Sequence, residues 1–386
     1  ITGPTGNICP NEDGFTFSVT PVTDASYYLW QLPTGWTITS ADPLSNNITV
    51  RTGYTSGTVK VSAGNACTYN SNTSDLIVKL HNVWAGVVDT DWNKAGNWSD
   101  NLVSSSSCPD IVIPSSAPNQ PVIPTGTVQV NNLVMIGNSA SLTLNNTANL
   151  KVSGSLTIPV GSYIDVTNAT IEFNGSSAQN ISSSNFKDTT IKYLVISNSA
   201  GVTVAPGGNS LAIAGKLSFG TPNAGLNSGD NITLKSTKAH TANLGEVGVS
   251  NTVSGKFTVE RYINIGTGTG EHGKAWHVIA PNTSGQTIKQ SWMENGDNSV
   301  NNYGINLTGA AGAGWDGVSP SPAIKYYVPN SGQGAWAGAA NSGVPLDSKN
   351  AWMVFVRGDR SVTGQWDAPK PTTLRSKGTI KTGTQT

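Results

Sequence analysis

Charge is scarce in this chain. Only 11% of its 386 residues are Asp, Glu, Lys or Arg, with 22 of each sign, so the formal net charge is zero. About a quarter is usual for globular domains. Such a surface has no electrostatic footprint for DNA, RNA or an anionic bilayer, so nucleic-acid binding is set aside. Long apolar runs are missing as well, and none reaches the roughly 20 residues that a membrane-spanning helix needs. The chain opens on Ile1-Thr-Gly-Pro-Thr-Gly, without Met or a basic region, so it shows no secretory leader. It closes on a strand-like stretch, and we expect both ends to be cut from something larger. Gly, Ser, Thr and Asn fill the polar positions instead, a composition that suits an extracellular β protein.

Amphipathic helical stretches are lacking where strand signals are dense. Between Val128 and Leu234 run Ser141-Leu-Thr-Leu-Asn, Asn149-Leu-Lys-Val-Ser, Tyr163-Ile-Asp-Val-Thr, Thr170-Ile-Glu-Phe-Asn and Ser210-Leu-Ala-Ile-Ala. Each sets an apolar side chain at every second residue, the period of a half-buried strand. Strands this short and regular predict stacked coils of a parallel β-solenoid, each burying its inner face on its neighbours.

The rest of the chain divides around this run. Residues 1–81 read as an immunoglobulin-like sandwich. Its strands are expected at Phe15–Val19, Tyr27–Gln31, Thr37–Thr39, Asn47–Val50, Thr58–Ser62 and Asp75–Lys79, with Trp30 in the core. Cys9 precedes one strand and Cys67 follows another, so a Cys9–Cys67 bridge would close this domain and leave Cys108 as a buried or free thiol. Residues 82–125 hold Trp84, Trp92 and Trp98, then five prolines. They read as an ordered connector whose tryptophans cap the first coil, because prolines exclude helix and central-strand pairing. The solenoid is assigned to 126–256. A β-rich module with one short helix, near Thr287–Glu294, is assigned to 257–386 and read as truncated. Its Leu307-Thr-Gly-Ala-Ala-Gly-Ala-Gly is expected to be a flexible loop. The fold class is therefore all-β, and the expected architecture is an elongated rod.

Several motifs carry a resemblance. Ile1-Thr-Gly-Pro-Thr-Gly-Asn-Ile-Cys-Pro, Leu32-Pro-Thr-Gly-Trp-Thr-Ile and Gly64-Asn-Ala-Cys67 resemble the PKD-like repeats of large secreted Bacteroidota proteins. Asp91-Trp-Asn-Lys-Ala-Gly-Asn-Trp-Ser resembles the module that follows them, and Ile171-Glu-Phe-Asn-Gly-Ser-Ser-Ala-Gln-Asn-Ile resembles a coil of their β-helical repeats. Val259-Glu-Arg-Tyr-Ile, Phe355-Val-Arg-Gly-Asp-Arg and Thr373-Leu-Arg-Ser-Lys-Gly-Thr-Ile-Lys-Thr-Gly resemble the module near their C-termini. The resemblance implies export by the type IX secretion system and a role as surface adhesin, gliding-associated fibre or matrix protein. The sorting domain of that family is absent from this sequence.

Candidate chemistry is sparse. Asp89, Asp91 and Asn93 set oxygen ligands at alternate positions, as calcium loops do, but Lys94 stands where an EF-hand needs Gly. Calcium is the one cofactor considered, against a plain polar turn. Arg357-Gly-Asp359 spells an integrin-type tripeptide at the end of an apolar strand and reads as a structural turn. His240, His272 and His277 have no HxH or HExxH spacing, so zinc is not expected. Asp165, Glu172, Lys187, Asp188 and Lys192 are the solenoid's scattered candidates for acid–base work, and no nucleophile motif accompanies them. Trp315, Trp336 and Trp366 lie in Gly- and Ser-rich segments and are possible glycan contacts. The expectation is a non-enzymatic, extracellular structural or adhesive segment without a membrane span. Its expected partners are neighbouring modules or subunits of the same protein, with surface glycans possible. The alternative is a carbohydrate-binding or polysaccharide-cleaving β-helix protein.

Overall fold

Alternation carries straight into structure. In the computed structural model, which describes residues 1–4, 8–67, 73–104, 108–329 and 334–383, the chain is nearly all β. It has 3% helix, an N-terminal β-sandwich and a central β-solenoid of about seven turns. The chain forms two compact units, 1–175 with 184–187, and 176–183 with 188–386.

The first unit begins with a sandwich. Its strands are β1 (Phe15–Ser18), β2 (Tyr27–Gln31), β3 (Thr37–Ile38), β4 (Asn47–Arg51), β5 (Gly57–Gly64) and β6 (Ser74–Val78). They form two antiparallel sheets, β1–β4–β3 and β2–β5–β6. Phe17, Ile48, Val50, Val59 and Val78 are fully buried between them. The core tryptophan is Trp36, not Trp30. The Trp36 indole packs 6.3 Å from the Phe17 ring and donates to the Thr55 carbonyl. Trp30 is half-buried on β2 and donates to the Ser45 carbonyl.

The disulfide also departs from expectation. Cys9 bonds Cys108, and Cys67 is free and exposed. The backbone explains the choice. Ile8 pairs in parallel with Leu80, and Asn82 donates to the Cys108 carbonyl from its side chain. Residues 80–82 thus hold Cys9 and Cys108 with Cα atoms 5.2 Å apart, within the range a disulfide requires. Cys67 sits on the connection from β5 to β6, where its amide donates to the Asn65 side chain.

Three sides of parallel strands follow. They are built from β7 (Asp110–Pro114), β8 (Val122–Ile123), β9 (Gly126–Val130), β10 (Asn132–Ile136), β11 (Ser141–Leu144), β12 (Ala148–Val152), β13 (Leu156–Thr157) and β14 (Tyr163–Phe173). One side is β7–β10–β13, a second is β8–β11–β14, and the third is β9–β12–β14. The registers Asn149↔Thr170, Ser141↔Tyr163 and Leu133↔Leu156 show that one coil takes 21 to 23 residues. Leu142 therefore stacks beside Ile164, Leu150 beside Ile171 and Val152 beside Phe173, all buried.

The ladder starts at Asp110, inside the proline-rich stretch. Pro114 ends β7, while Pro121 and Pro124 bracket β8, so these prolines punctuate coil strands. Above the first coil lies residue 82–92 backbone. Trp84 N–H donates to the Val112 carbonyl at 2.9 Å, and Val122 N–H donates to that of Thr90 at 2.7 Å. Trp84, Trp92 and Trp98 are buried at this end and meet edge-to-face at 5.2 and 4.8 Å. Val112 and Val134 share one hydrophobic cluster with Phe17 and Ile48, so sandwich and coils have a common core.

The second unit holds β15 (Gln179–Ile181), most of β16 (Phe186–Ile196), β17 (Val202–Val204), β18 (Leu211–Phe219), β19 (Gly225–Asn227), β20 (Ile232–Leu234), β21 (Asn243–Leu244) and β22 (Thr252–Ser254). β23 (Lys256–Ile263) extends the parallel ladder from β20. After it come β24 (Ala275–Ile279), β25 (Thr283–Ser284), β26 (Thr308–Gly309), β27 (Gly317–Val318), β28 (Ile324–Val328), β29 (Ala335–Gly338), β30 (Trp352–Val356) and β31 (Thr372–Ile380). β31 returns antiparallel to β23 through eight residue pairs, from Lys256↔Thr379 to Ile263↔Thr372. The strand-like stretch on which the sequence closes thus pairs within its own chain; residues 384–386 lie outside the described residues. β25 borders its other edge. A Cβ at Gly378 would overlap the Ser284 carbonyl, so only glycine lets β25 pass there.

A second antiparallel sheet, β24–β30–β28–β29, packs Trp352, Val354, Val356 and Ile324 into a core that includes Leu374 of β31. The expected short helix takes another form. The Thr287–Gln290 capping box closes, with Gln290 N–H donating to Thr287 Oγ1 and Thr287 N–H to Gln290 Oε1. The following residues form turns that end in one 3₁₀ turn, Glu294–Gly296, with Asn295 at φ 59°. A left-handed residue there cannot continue an α-helix. The glycine-rich loop is also more ordered than its composition suggests. Gly309 pairs in β26, and a Cβ there would overlap the Trp315 ring.

Candidate functional site

The structure makes Asp89, Asp91 and Asn93 a turn. Asp89 Oδ1 accepts from Asp91 N–H, and Asp91 Oδ1 accepts from Asn93 N–H, both at 3.0 Å. Asp89 Oδ2 holds the Lys94 ammonium at 2.7 Å. The organiser is Asn97, fully buried, which sequence reading passed over. Its Oδ1 accepts from Val88 and Asp89 N–H, and its amide donates to Asp89 Oδ1 and the Asp91 carbonyl. The Lys94 and Asn97 bonds and the Asp91 amide hold the Asp89 carboxyl well below its ordinary 3.8, at about 2. Lys94 thus occupies the carboxylate that calcium would need. Among the described residues no group of three or more His, Cys, Asp or Glu could hold a metal ion.

The solenoid carboxylates pair with lysines from neighbouring coils. Glu172 meets Lys151 at 2.9 Å, Asp165 meets Lys187 at 2.8 Å, and Glu260 meets Lys235 at 2.8 Å. Burial pushes Asp165 up, but Lys187 and the Thr167 hydroxyl and amide outweigh it, so its pKa is lowered. Asp188, within β16, has a left-handed backbone at φ 51°, and the Thr190 hydroxyl donates to its carbonyl.

Arg357-Gly-Asp359 is built inward. Asp359 is only 3% exposed and accepts from Asn302 N–H, Ser361 N–H and Ser361 Oγ. Its neighbour Arg360 has no exposed surface. Arg360 makes a bidentate pair with Asp316 at 2.7 and 2.8 Å and donates to the Ile305 carbonyl. Arg-Gly-Asp is therefore a structural element, as read from the sequence, while the buried ion pair of the next residue, Arg360, with Asp316 was not foreseen.

The three candidate glycan-contact tryptophans separate. Trp315 packs against the core of the second unit, where Gly309 admits its ring. Trp366 is 91% exposed on a loop that Lys274 ties down through the Gly364 and Gln365 carbonyls. Trp336 lies on β29 and points outward with Tyr327, ring centroids 5.6 Å apart.

Register extends this outward pair into a face. Trp276 lies opposite Phe355, Val278 opposite Met353, Met353 opposite Lys325, and Tyr327 opposite Trp336. Strand alternation puts all of them on the side away from Val354 and Ile324, which are buried. Trp276, Tyr327 and Trp336 keep 42%, 50% and 48% of their surface. Lys325 stands between the two aromatic pairs, 5.1 Å from the Trp276 ring, and Arg357 lies 5.0 Å from Phe355. Flat exposed rings with neighbouring cations can stack on a sugar or a partner's side chains. Alternation along β24 alone sets Trp276 and Val278 on one face; the cross-strand register that adds Tyr327 and Trp336 was not readable from the sequence.

Two family models match the chain. Residues 1–78 match the PKD-like domain, and residues 83–186 match a domain of unknown function (DUF8693). Neither the curated proteins nor the solved structures yield a match. The N-terminal sandwich is thus similar to PKD-like domains, and the capped first coils are similar to a family without an assigned role.

Proposed function

We propose that this chain is a non-enzymatic extracellular segment with a structural and adhesive role, part of a larger surface protein or fibre. The observation that carries this reading is the outward aromatic face of Trp276, Phe355, Tyr327 and Trp336, presented by a stiff sheet in the same unit as solenoid coils. The PKD-like match and the Cys9–Cys108 disulfide suit an oxidising, extracellular setting. The order of motifs favours the large secreted surface proteins of Bacteroidota and type IX export. Neighbouring modules or subunits of the same protein are the expected structural partners.

The second reading, a polysaccharide-cleaving β-helix, draws on the solenoid alone. Its candidate carboxylates, Asp165 and Glu172, are committed to Lys187 and Lys151. The test is adhesion of protein-coated beads to glycan-coated and cell surfaces. Trp276→Ala with Trp336→Ala should lower attachment several-fold while leaving the fold unchanged by circular dichroism. Steady release of reducing ends from a polysaccharide, lost on Glu172→Ala, would overturn the non-enzymatic reading.

A further inference from the structure

A groove lies along one face of β23. Its first part is a cavity of about 410 Å³ whose walls include Arg261, Asn264, His272, His277 and Asn282. A second cavity of about 480 Å³ shares Ala280 and Asn282 with it and reaches Val259 and Lys381. Val259 and Arg261 are two apart on the strand and so share a side. Both volumes fall within the roughly 300–1,000 Å³ of small-molecule sites. Two adjoining cavities suit a short chain of units better than a single compact ligand.

The charge of this groove departs from the rest of the molecule. Arg261 and Lys381 line it, with His272, His277 and the Tyr262 phenol as its other titratable groups; no Asp or Glu does so among the described residues. In a chain with equal numbers of acids and bases, this is a one-sign surface suited to an anion. Two buried polar atoms in the same walls have no hydrogen-bond partner, His277 Nε2 and Asn264 Oδ1. Asn264 donates from Nδ2 to the Gly270 carbonyl at 2.7 Å, which fixes its Oδ1 as an acceptor. The His272 and His277 rings lie 5.4 Å apart. Burial first, then His272 and Arg261, push the His277 pKa down, so its ring is neutral at pH 7.

A fitting ligand brings an anionic group for Arg261 and hydroxyl groups that meet Asn264 Oδ1 and His277 Nε2 once a small side-chain turn opens them to the cavity, since neither atom has exposed surface. A sulfate dianion meets the charge but has no hydrogen to donate and leaves the Asn264 acceptor unsatisfied. We propose that this groove binds a uronate-bearing saccharide, its carboxylate against Arg261 and its hydroxyls on Asn264 and His277. The proposal gives the adhesive reading a ligand and rests on that reading for its biological setting alone.

The test is calorimetric titration of the 386-residue protein with tetragalacturonate, the neutral galactose tetramer and inorganic sulfate, at pH 7 and low salt. Tetragalacturonate should bind. Arg261→Ala should weaken it at least about tenfold, as expected for a charged hydrogen bond, with Arg261→Lys retaining part of the affinity. Asn264→Ala should weaken it several-fold, and the neutral tetramer should bind at least about tenfold more weakly. Arg261 is exposed, so its loss should not unfold the chain, and an unchanged melting temperature checks this. Absence of tetragalacturonate binding, equal affinity for the neutral tetramer or for sulfate, or an Arg261→Ala variant that binds like the parent would each overturn the proposal. If adhesion fails with the tryptophan variants while Arg261-dependent binding persists, the groove stands and the adhesive reading falls. The reverse result rejects the groove alone.

Discussion

Each unit closes one end of its parallel strands, and the two do so by different means. In the first, side chains do the work: backbone 82–92 lies on the first coil, and Trp84, Trp92 and Trp98 fill the space at that end. In the second, a strand does it: β31 reverses direction and takes the edge of β23 through eight residue pairs. An open coil end exposes apolar interior, and an open edge exposes unpaired N–H and C=O groups. The first closure deals mainly with apolar surface and the second mainly with backbone, so the two should fail differently.

The largest effect is expected in the second unit. A chain ending at Pro371 loses β31, uncovers the β23 edge and removes Leu374 from the core of the second unit. It should lose cooperative unfolding of that unit and form oligomers through the free edge, as read by denaturation and light scattering. A monomer with an unchanged transition would show that β31 does not close the ladder. Next comes the clasp of the first unit. Cys9→Ala should cost about 4–5 kcal/mol by the chain-entropy estimate for a loop of 99 residues. Cys67→Ser should leave the denaturation midpoint unchanged, and non-reduced peptide mapping should recover Cys9 joined to Cys108. A Cys9–Cys67 peptide would reverse the assignment.

The plug itself comes third. Trp98→Ala should destabilise the first unit by about 3–5 kcal/mol without promoting oligomers, because it opens a cavity and frees no strand edge. Oligomers from this variant would erase the contrast between the two closures. The smallest effect is a pH response at the turn before the plug. Asp89 has a folded pKa of about 2 against an ordinary 3.8. A depressed carboxylate stabilises the fold above the ordinary value, and this is lost as pH falls through about 2. The melting temperature should therefore drop between pH 4 and 2, and Asp89→Asn should flatten that drop.

Local pattern carried most of the fold. All six sandwich strands form within two residues of their expected bounds, because period-two burial is a local property of the chain. What depended on distant neighbours was not legible. Cys9 and Cys108 meet only because residues 80–84 join the sandwich to the first coil. The partner of β31 was not legible, because no residue near it in sequence announces β23. Trp36, just after the Pro33-Thr-Gly turn, is the buried tryptophan, while Trp30 on β2 packs half-buried against the core, a division that strand period alone does not set. The aromatic face shows the same division: parity along β24 was readable, but its union with Tyr327 and Trp336 required the order of four strands. The groove was invisible for a related reason. His272 and His277 show neither HxH nor HExxH spacing, and Arg261 joins them only through the fold.

The Cys9–Cys108 clasp has a mechanical consequence. It gathers the sandwich into a covalent loop of 99 residues. If the chain is pulled from its termini, tension passes through the two sulfurs, and the enclosed residues carry none of it. At about 3.3–3.6 Å per extended residue, the clasp withholds roughly 330–360 Å of contour length from stretching. The oxidised protein should therefore surrender only the coils and the C-terminal sheets under load, while a thiol reductant would release the hidden length as one added step in a force–extension trace.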